Sequence, residues 1–163
     1  MDKKNIEVEI VKYTPKLAKY FYSINAEWVS GMFVMEEIDE MILANPQKYI
    51  IDEGGQIWFA IHKELGVIGT CAVKDFGNKW YELTKMGVLE SARGLKAGEA
   101  LLKHVISDCN KADIDTLFLL TNHQCEAAIH LYEKNGFQHD QGIKEKFNGL
   151  YARSDTFMKY NPK

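Results

Sequence analysis

Residues 91–105 read SARGLKAGEALLKHV, and their interpretation decides the fold. Arg93, Gly94, Lys96 and Gly98 stand directly before a helix whose apolar positions, Leu101, Leu102, Val105, Ile106 and Cys109, form one stripe at helical spacing. A single turn residue would end the preceding strand, so the glycines point to a need for bare backbone at the helix start. The first N–H groups of a helix have no internal partners, and the dipole adds about half a positive charge there. Glycine clears the approach, and Arg93 and Lys96 add charge. Residues 93–98 therefore read as a site for a phosphorylated ligand, beside the plainer alternative of a tight turn before a capped helix. A P-loop would need Gly-Lys-Ser/Thr, whereas Gly98 precedes Glu99-Ala100; a dinucleotide fingerprint would need a third glycine early in its domain.

The rest of the chain supplies the context for that turn. At 163 residues it is expected to be one domain, 1–163, able to bury a core without disulfides or metals. An apolar share of 46% and a charged share of 26% are those of a globular protein. A net charge of −3 argues against nucleic acid as the main partner, since duplex binders carry a basic surplus. No apolar run approaches the ~20 residues of a membrane span. The opening MDKKNIEVEI has no signal-peptide apolar core, and the three cysteines form no CxxC pair, so the expected setting is the reducing cytoplasm. The five histidines lack metal-ligand spacing and no metal is expected; His123 lies nearest the anticipated site, with a surface role the plainer reading.

Periodicity predicts a strand over 6–12 and a helix from Leu17 to about Gly31, introduced by Thr14-Pro15. A second helix over 36–44 is stopped by Asn45-Pro46. A hairpin of 49–52 with 56–62 follows, then strands over 66–74 and 80–88, the helix over 98–110, and a doubly buried strand over 116–121. The helix over 126–135 is capped by Gly136, and two tail strands lie around 138–144 and 153–160. The order is that of an α/β domain built on one mixed sheet.

With these elements in place, ELTKMGVLESARGLKAGEALLKHV (82–105) and AIHLYEKNGF (128–137) resemble the GNAT N-acetyltransferases. Arg93-Gly94-Leu95-Lys96-Ala97-Gly98 fits the family's Gln/Arg-x-x-Gly-x-Gly/Ala signature at its first and last positions, and Leu131 to Phe137 carries the second landmark in full. Lys96 departs from the family's inner glycine, its ammonium offering a phosphate contact instead. Cys125 replaces an asparagine common six residues before the leucine of Leu-Tyr. The resemblance implies the GNAT (acyl-CoA N-acyltransferase) fold, a mixed central sheet whose parallel strands splay apart around acetyl-CoA. Residues 93–98, together with Met86, Gly87, Val88 and Tyr132, would bind that co-substrate. Gly87 suits a bulge or a close backbone approach, and an N–H near Val88 would hold the developing oxyanion.

A primary amine must lose a proton before attack at neutral pH, and a departing thiolate gains from a nearby acid. Tyr132 matches the family's acid, with a core tyrosine as the alternative. Glu82 is the candidate base, eleven residues before Arg93; a solvated strand glutamate or a water chain are the alternatives, and a bulge in NKWYELTKMGV would decide its facing. The first two helices and the tail wall the acceptor in this family. They offer Asn25, Trp28, Tyr151 and Arg153 as candidate contacts, with Glu27, Phe33 and Tyr49 nearby. An Arg among aromatics suits a small, amino-acid-like primary amine. The segments INAEW, TN and YARSDTFM also resemble the GNAT domain found behind MarR-type regulators. The expected activity is acetyl transfer in a ternary complex. A protein-amine acceptor, an acetyl-CoA sensor of weak chemistry, a nucleotide-binding domain of another kind and a homodimer all stay open.

Overall fold

The computed structural model describes residues 8–161. A seven-stranded sheet runs in the order β1-β2-β3-β4-β5-β7-β6. Its strands are β1 (Val8–Lys12), β2 (Gln56–His62), β3 (Gly66–Asp75), β4 (Trp80–Val88), β5 (Thr116–Thr121), β6 (Phe137–His139) and β7 (Thr156–Tyr160). All neighbours are antiparallel except β4 and β5. Helices α1 (Ala18–Met32) and α2 (Glu37–Ala44) cover one face; α3 (Ala97–Lys111) and α4 (Glu126–Lys134) cover the other, and α5 (Gln141–Phe147) lies near the β5–β7 edge.

Each face is sealed by the apolar stripe the sequence carries. Leu101, Leu102, Val105 and Ile106 of α3 pack on Leu83, Leu117 and Leu119, while Phe21, Ile42 and Leu43 pack on Ile57 and Phe59. Truncating a fully buried residue such as Leu101 to alanine costs about 2–5 kcal/mol, because close-packed neighbours relax only in part. Of the strand expected over 6–12, Ile6 and Glu7 lie outside the described residues.

Two assignments from the sequence are corrected. Residues 49–52 are not a strand: Gln47–Ile51 form a π-helical turn. Pro46, expected to stop helical structure, has φ −64° and ψ −32° and starts this turn, placing Ile50 in the core. The strand expected over 138–144 ends at His139, and α5 begins under an Asp140 cap whose carboxylate accepts from the Ile143 N–H at 2.9 Å. Ile143 and Phe147, one helical turn apart, then bury together against Phe118 and Phe157.

Two irregularities of β4 create the site. Thr70 pairs with Gly87 and Ala72 with Thr84, so two residues of β4, Lys85 and Met86, oppose Cys71 alone. This is the bulge on which the facing of Glu82 depended, and Lys85 takes a left-handed conformation with φ 52°. On the other edge, β4 pairs with β5 only from Trp80 to Glu82. Beyond Glu82 the parallel strands part.

Candidate active site

The parted strands open a cavity of about 660 Å³, lined from β4 by Leu83 to Val88, from β5 by Leu119 to Thr121, and from α4 by Ala128, Leu131 and Tyr132. Backbone groups on the β5 side of residues 83–88 have no partner in the β4–β5 ladder. A buried strand edge of this kind needs outside hydrogen bonds.

At the α3 end, Arg93 and Gly98 line the cavity. Gly94 has φ 90° and Lys96, the N-cap, has φ 61°, so the chain enters the helix through two left-handed residues. The family's inner glycine thus corresponds here to a position where a side chain carries a steric cost of about 1 kcal/mol. Lys96 is exposed, Leu95 is half-buried and Ala97 packs into the core beneath the turn. Gly98 is half-buried, and a Cβ there would lie 3.6 Å from Val88 and 3.7 Å from Met86 at the cavity wall. Glu99, an acid in this first turn, pairs with Lys134 at 3.1 Å and Lys103 at 3.6 Å, which offsets its repulsion of an anion. The orphaned strand edge and the glycine-lined helix start fit a pantetheine arm and a diphosphate.

Gly87 does serve a close approach, but toward the protein's own tryptophan. A Cβ there would stand 2.5 Å from Cδ1 and 2.8 Å from Nε1 of Trp28. Asn25 does not line the cavity; its amide donates to the Phe21 carbonyl and accepts from Trp28 Nε1 at 3.0 Å, anchoring the indole. Trp28 in turn meets Phe33 edge to face, and both line the cavity. Tyr49 packs in the core cluster beneath α1 and α2 instead.

Tyr132 lines the cavity with its ring packed edge-on to Phe137. Burial, reinforced by Cys71 and Cys125, pushes its phenol pKa well up, so it holds its proton throughout the neutral range. Cys125 also lines the cavity, half-buried.

Glu82 is 1% exposed, which removes the reading of a solvated strand glutamate. It lies behind the cavity wall, and its Oε1 has no hydrogen-bond partner. Burial raises its pKa to about 7, against lowering contributions from Lys85, Lys74 and the Thr84 hydroxyl. Its near neighbours Tyr151 and Thr84 both line the cavity.

Beside them lies an ion cluster that local sequence patterns do not reveal. Lys85 Nζ meets Asp39 at 2.8 Å, both side chains buried, and rests 4.6 Å from the Tyr151 ring centre. Arg153 grips Asp39 through two hydrogen bonds of 2.6 and 2.9 Å and adds one of 3.2 Å to Glu36. Burial would raise the Asp39 pKa, but hydrogen bonds from Arg153 and Lys85 overcome it and hold the carboxyl below the usual range. Arg153 is therefore committed to protein carboxylates. Asn122, at the β5 exit, ties the same loop down by donating to the Arg153 carbonyl at 2.7 Å.

A mixed sheet that splits at its parallel pair above a helix N-terminus, with a buried carboxyl and a buried phenol at the split, is the architecture of an acyl-CoA-dependent acyltransferase. The family model described as "Acetyltransferase (GNAT) domain" matches residues 53–139, and the chain belongs to this family. It is an acyltransferase that uses acetyl-CoA. Among solved structures, a GNAT-family acetyltransferase from Staphylococcus aureus Mu50 is 25% identical with a TM-score of 0.83, the match covering 96% of this chain and 99% of that one. An acetyltransferase from Streptococcus agalactiae 2603 is 17% identical with a TM-score of 0.78 over 96% and 98% of the two chains. The PaiA N-acetyltransferase of Thermoplasma acidophilum, solved with coenzyme A, is 17% identical with a TM-score of 0.69 over 96% and 99%. No curated protein sequence matches. Among the described residues, no helix is long and apolar enough to cross a membrane.

Proposed function

We propose that the protein transfers the acetyl group of acetyl-CoA to a primary amine of a small molecule by direct attack in a ternary complex. The observation that carries this is one cavity with a proton-holding phenol, Tyr132, on the α4 side and a buried carboxyl, Glu82, behind the acceptor wall. Residues 93–98 hold the diphosphate through helix-start amides and the charges of Arg93 and Lys96. Met86, Gly87 and Val88 supply backbone bonds, and an N–H near Val88 holds the negative charge that develops on the thioester oxygen. Glu82, poised near neutrality, takes the ammonium proton before attack. As the C–N bond forms and the C–S bond breaks, Tyr132 gives its proton to the thiolate and regains one from the new amide nitrogen. One proton is released per turnover.

Trp28, Phe33 and Tyr151 make the acceptor wall aromatic, with Asn25 acting behind Trp28. An amino-acid-like acceptor loses its main support, because its carboxylate would have to displace Asp39 from Arg153. The reading takes residues 1–163 as a single domain in the cytoplasm. Support comes from the near-complete coverage of the Staphylococcus aureus structure and from free Cys71, Cys109 and Cys125.

CoA release should be measured with butylamine, phenethylamine, spermidine and lysine. Turnover is expected, fastest with amines lacking a carboxylate, and Tyr132→Phe should lower kcat by about 100-fold or more with acetyl-CoA affinity kept. Acetyl-CoA binding without turnover of any amine would mark a sensor instead. An unchanged rate in Tyr132→Phe would make that tyrosine structural.

A further inference from the structure

A base sealed from its substrate cannot act on it directly, and Glu82 is sealed: it is 1% exposed and absent from the cavity lining. Its neighbour two positions along β4, Thr84, shares the same face of the strand before the bulge and does line the cavity. The Thr84 side chain is near enough to act electrostatically on both the Glu82 carboxyl and the Tyr151 phenol. Tyr151 is itself held in place, 5% exposed, with Lys85 at 4.6 Å and Arg153 at 5.5 Å from its ring centre. The unpartnered Oε1 leaves the carboxyl with free acceptor capacity in a dry setting.

We propose that the Thr84 hydroxyl is the proton conduit between the acceptor amine and Glu82. This rests on the acetyl-transfer reading above. In the step, the Thr84 oxygen takes a proton from the acceptor ammonium as its own proton passes to a Glu82 carboxylate oxygen. One N–H and one O–H break, two O–H bonds form, and threonine ends neutral. After product leaves, the route runs in reverse and returns the proton to water in the cavity. Charged and titratable groups set the carboxyl's ionisation from several sides: Lys85 on its own strand, Lys74 on β3, and Tyr151 in the loop after α5. Asp39 of α2 and Arg153 of that loop adjoin them through Lys85 and Tyr151.

The test compares Thr84→Val, Thr84→Ala and Thr84→Ser with the wild type, measuring the pH profile of kcat/KM with the fastest amine of the panel. The wild type is expected to show an acidic limb near the Glu82 pKa of about 7. Valine and alanine should each lower the plateau by about 100-fold and abolish that limb, leaving a rise that follows the amine's own ionisation. Serine should restore both limb and rate to within about 3-fold. Thermal midpoints and acetyl-CoA affinity identify any variant that fails to fold, and alanine stands in for valine if the methyl does not fit. If both hydroxyl-free variants keep the wild-type limb and rate, or serine loses as much as they do, the conduit is overturned while the acetyl-transfer reading stands. A wild type that releases no CoA with any amine overturns both.

Discussion

Replacing Glu82 with glutamine should make the protein less active and more stable, with the stability gain appearing only as pH rises. Burial raises this carboxyl's pKa from 4.5 to about 7, so the folded state holds the proton more tightly than the unfolded chain. Below the unfolded value both states are protonated and the group is neutral to stability. Between the two values the unfolded state ionises first, and stability falls by up to about 1.4 kcal/mol per pH unit. Above the folded value both states are ionised and the loss levels off. Raising the pH from about 5 to about 8 thus costs the wild type about 2.5 kcal/mol through this one residue, a cost that glutamine escapes. Urea unfolding of both proteins at the two pH values measures it directly. The advantage of Glu82→Gln should grow by that amount, alongside a fall in kcat/KM of about 100-fold or more. Parallel stability–pH curves would refute the claim that Glu82 is buried with a raised pKa. A stabilised variant with unchanged activity would leave it buried but uninvolved.

Three other substitutions probe the surrounding parts. Asp39→Asn leaves Lys85 and Arg153 short of a counter-charge in a buried setting, with an expected loss of about 3–5 kcal/mol in chemical unfolding; the uncompensated cations should also move the acidic limb of kcat/KM to lower pH. Gly87→Ala drives a methyl into the Trp28 indole, so a cost of about 1–3 kcal/mol, an altered tryptophan emission spectrum and a raised KM for the amine are expected. At Lys96, glycine relieves left-handed strain but adds chain entropy, so stability should shift by no more than about 1 kcal/mol. Valine at the same position should destabilise by about 1–2 kcal/mol, read from unfolding midpoints.

The elements that form the cavity were the legible ones. β4, β5, α3 and α4 announce themselves through apolar runs, a helical stripe and the glycine after Asn135, because their neighbours demand burial on a defined face. The tail misled because Gln138 to Lys144 tolerates an alternating reading; the combination of Asp140 with Ile143 and Phe147, a cap followed by apolar residues one turn apart, was the available sign of α5. The π-helical turn at 47–51 had no such sign, since Ile50 could bury equally from a strand. Tyr132, Trp28 and Tyr151 are legible through motif or neighbourhood, and all three line the cavity. Lys85, Asp39 and Glu36 were invisible because their pairing joins positions far apart in the chain. Gly87 is legible as the place of a close approach, and the side chain that makes it, Trp28, comes from a helix far away in the chain.

Where the diphosphate docks decides the proposed function. At 18.7 kDa the protein suits amide-resolved NMR, and a titration with acetyl-CoA reports on each backbone N–H in turn. The largest shifts should fall on residues 94–99 at the start of α3 and on residues 86–88 of β4, whose amides would gain charged or carbonyl partners. Shifts concentrated elsewhere, with the amides of Gly94 to Glu99 unmoved at saturation, would contradict it.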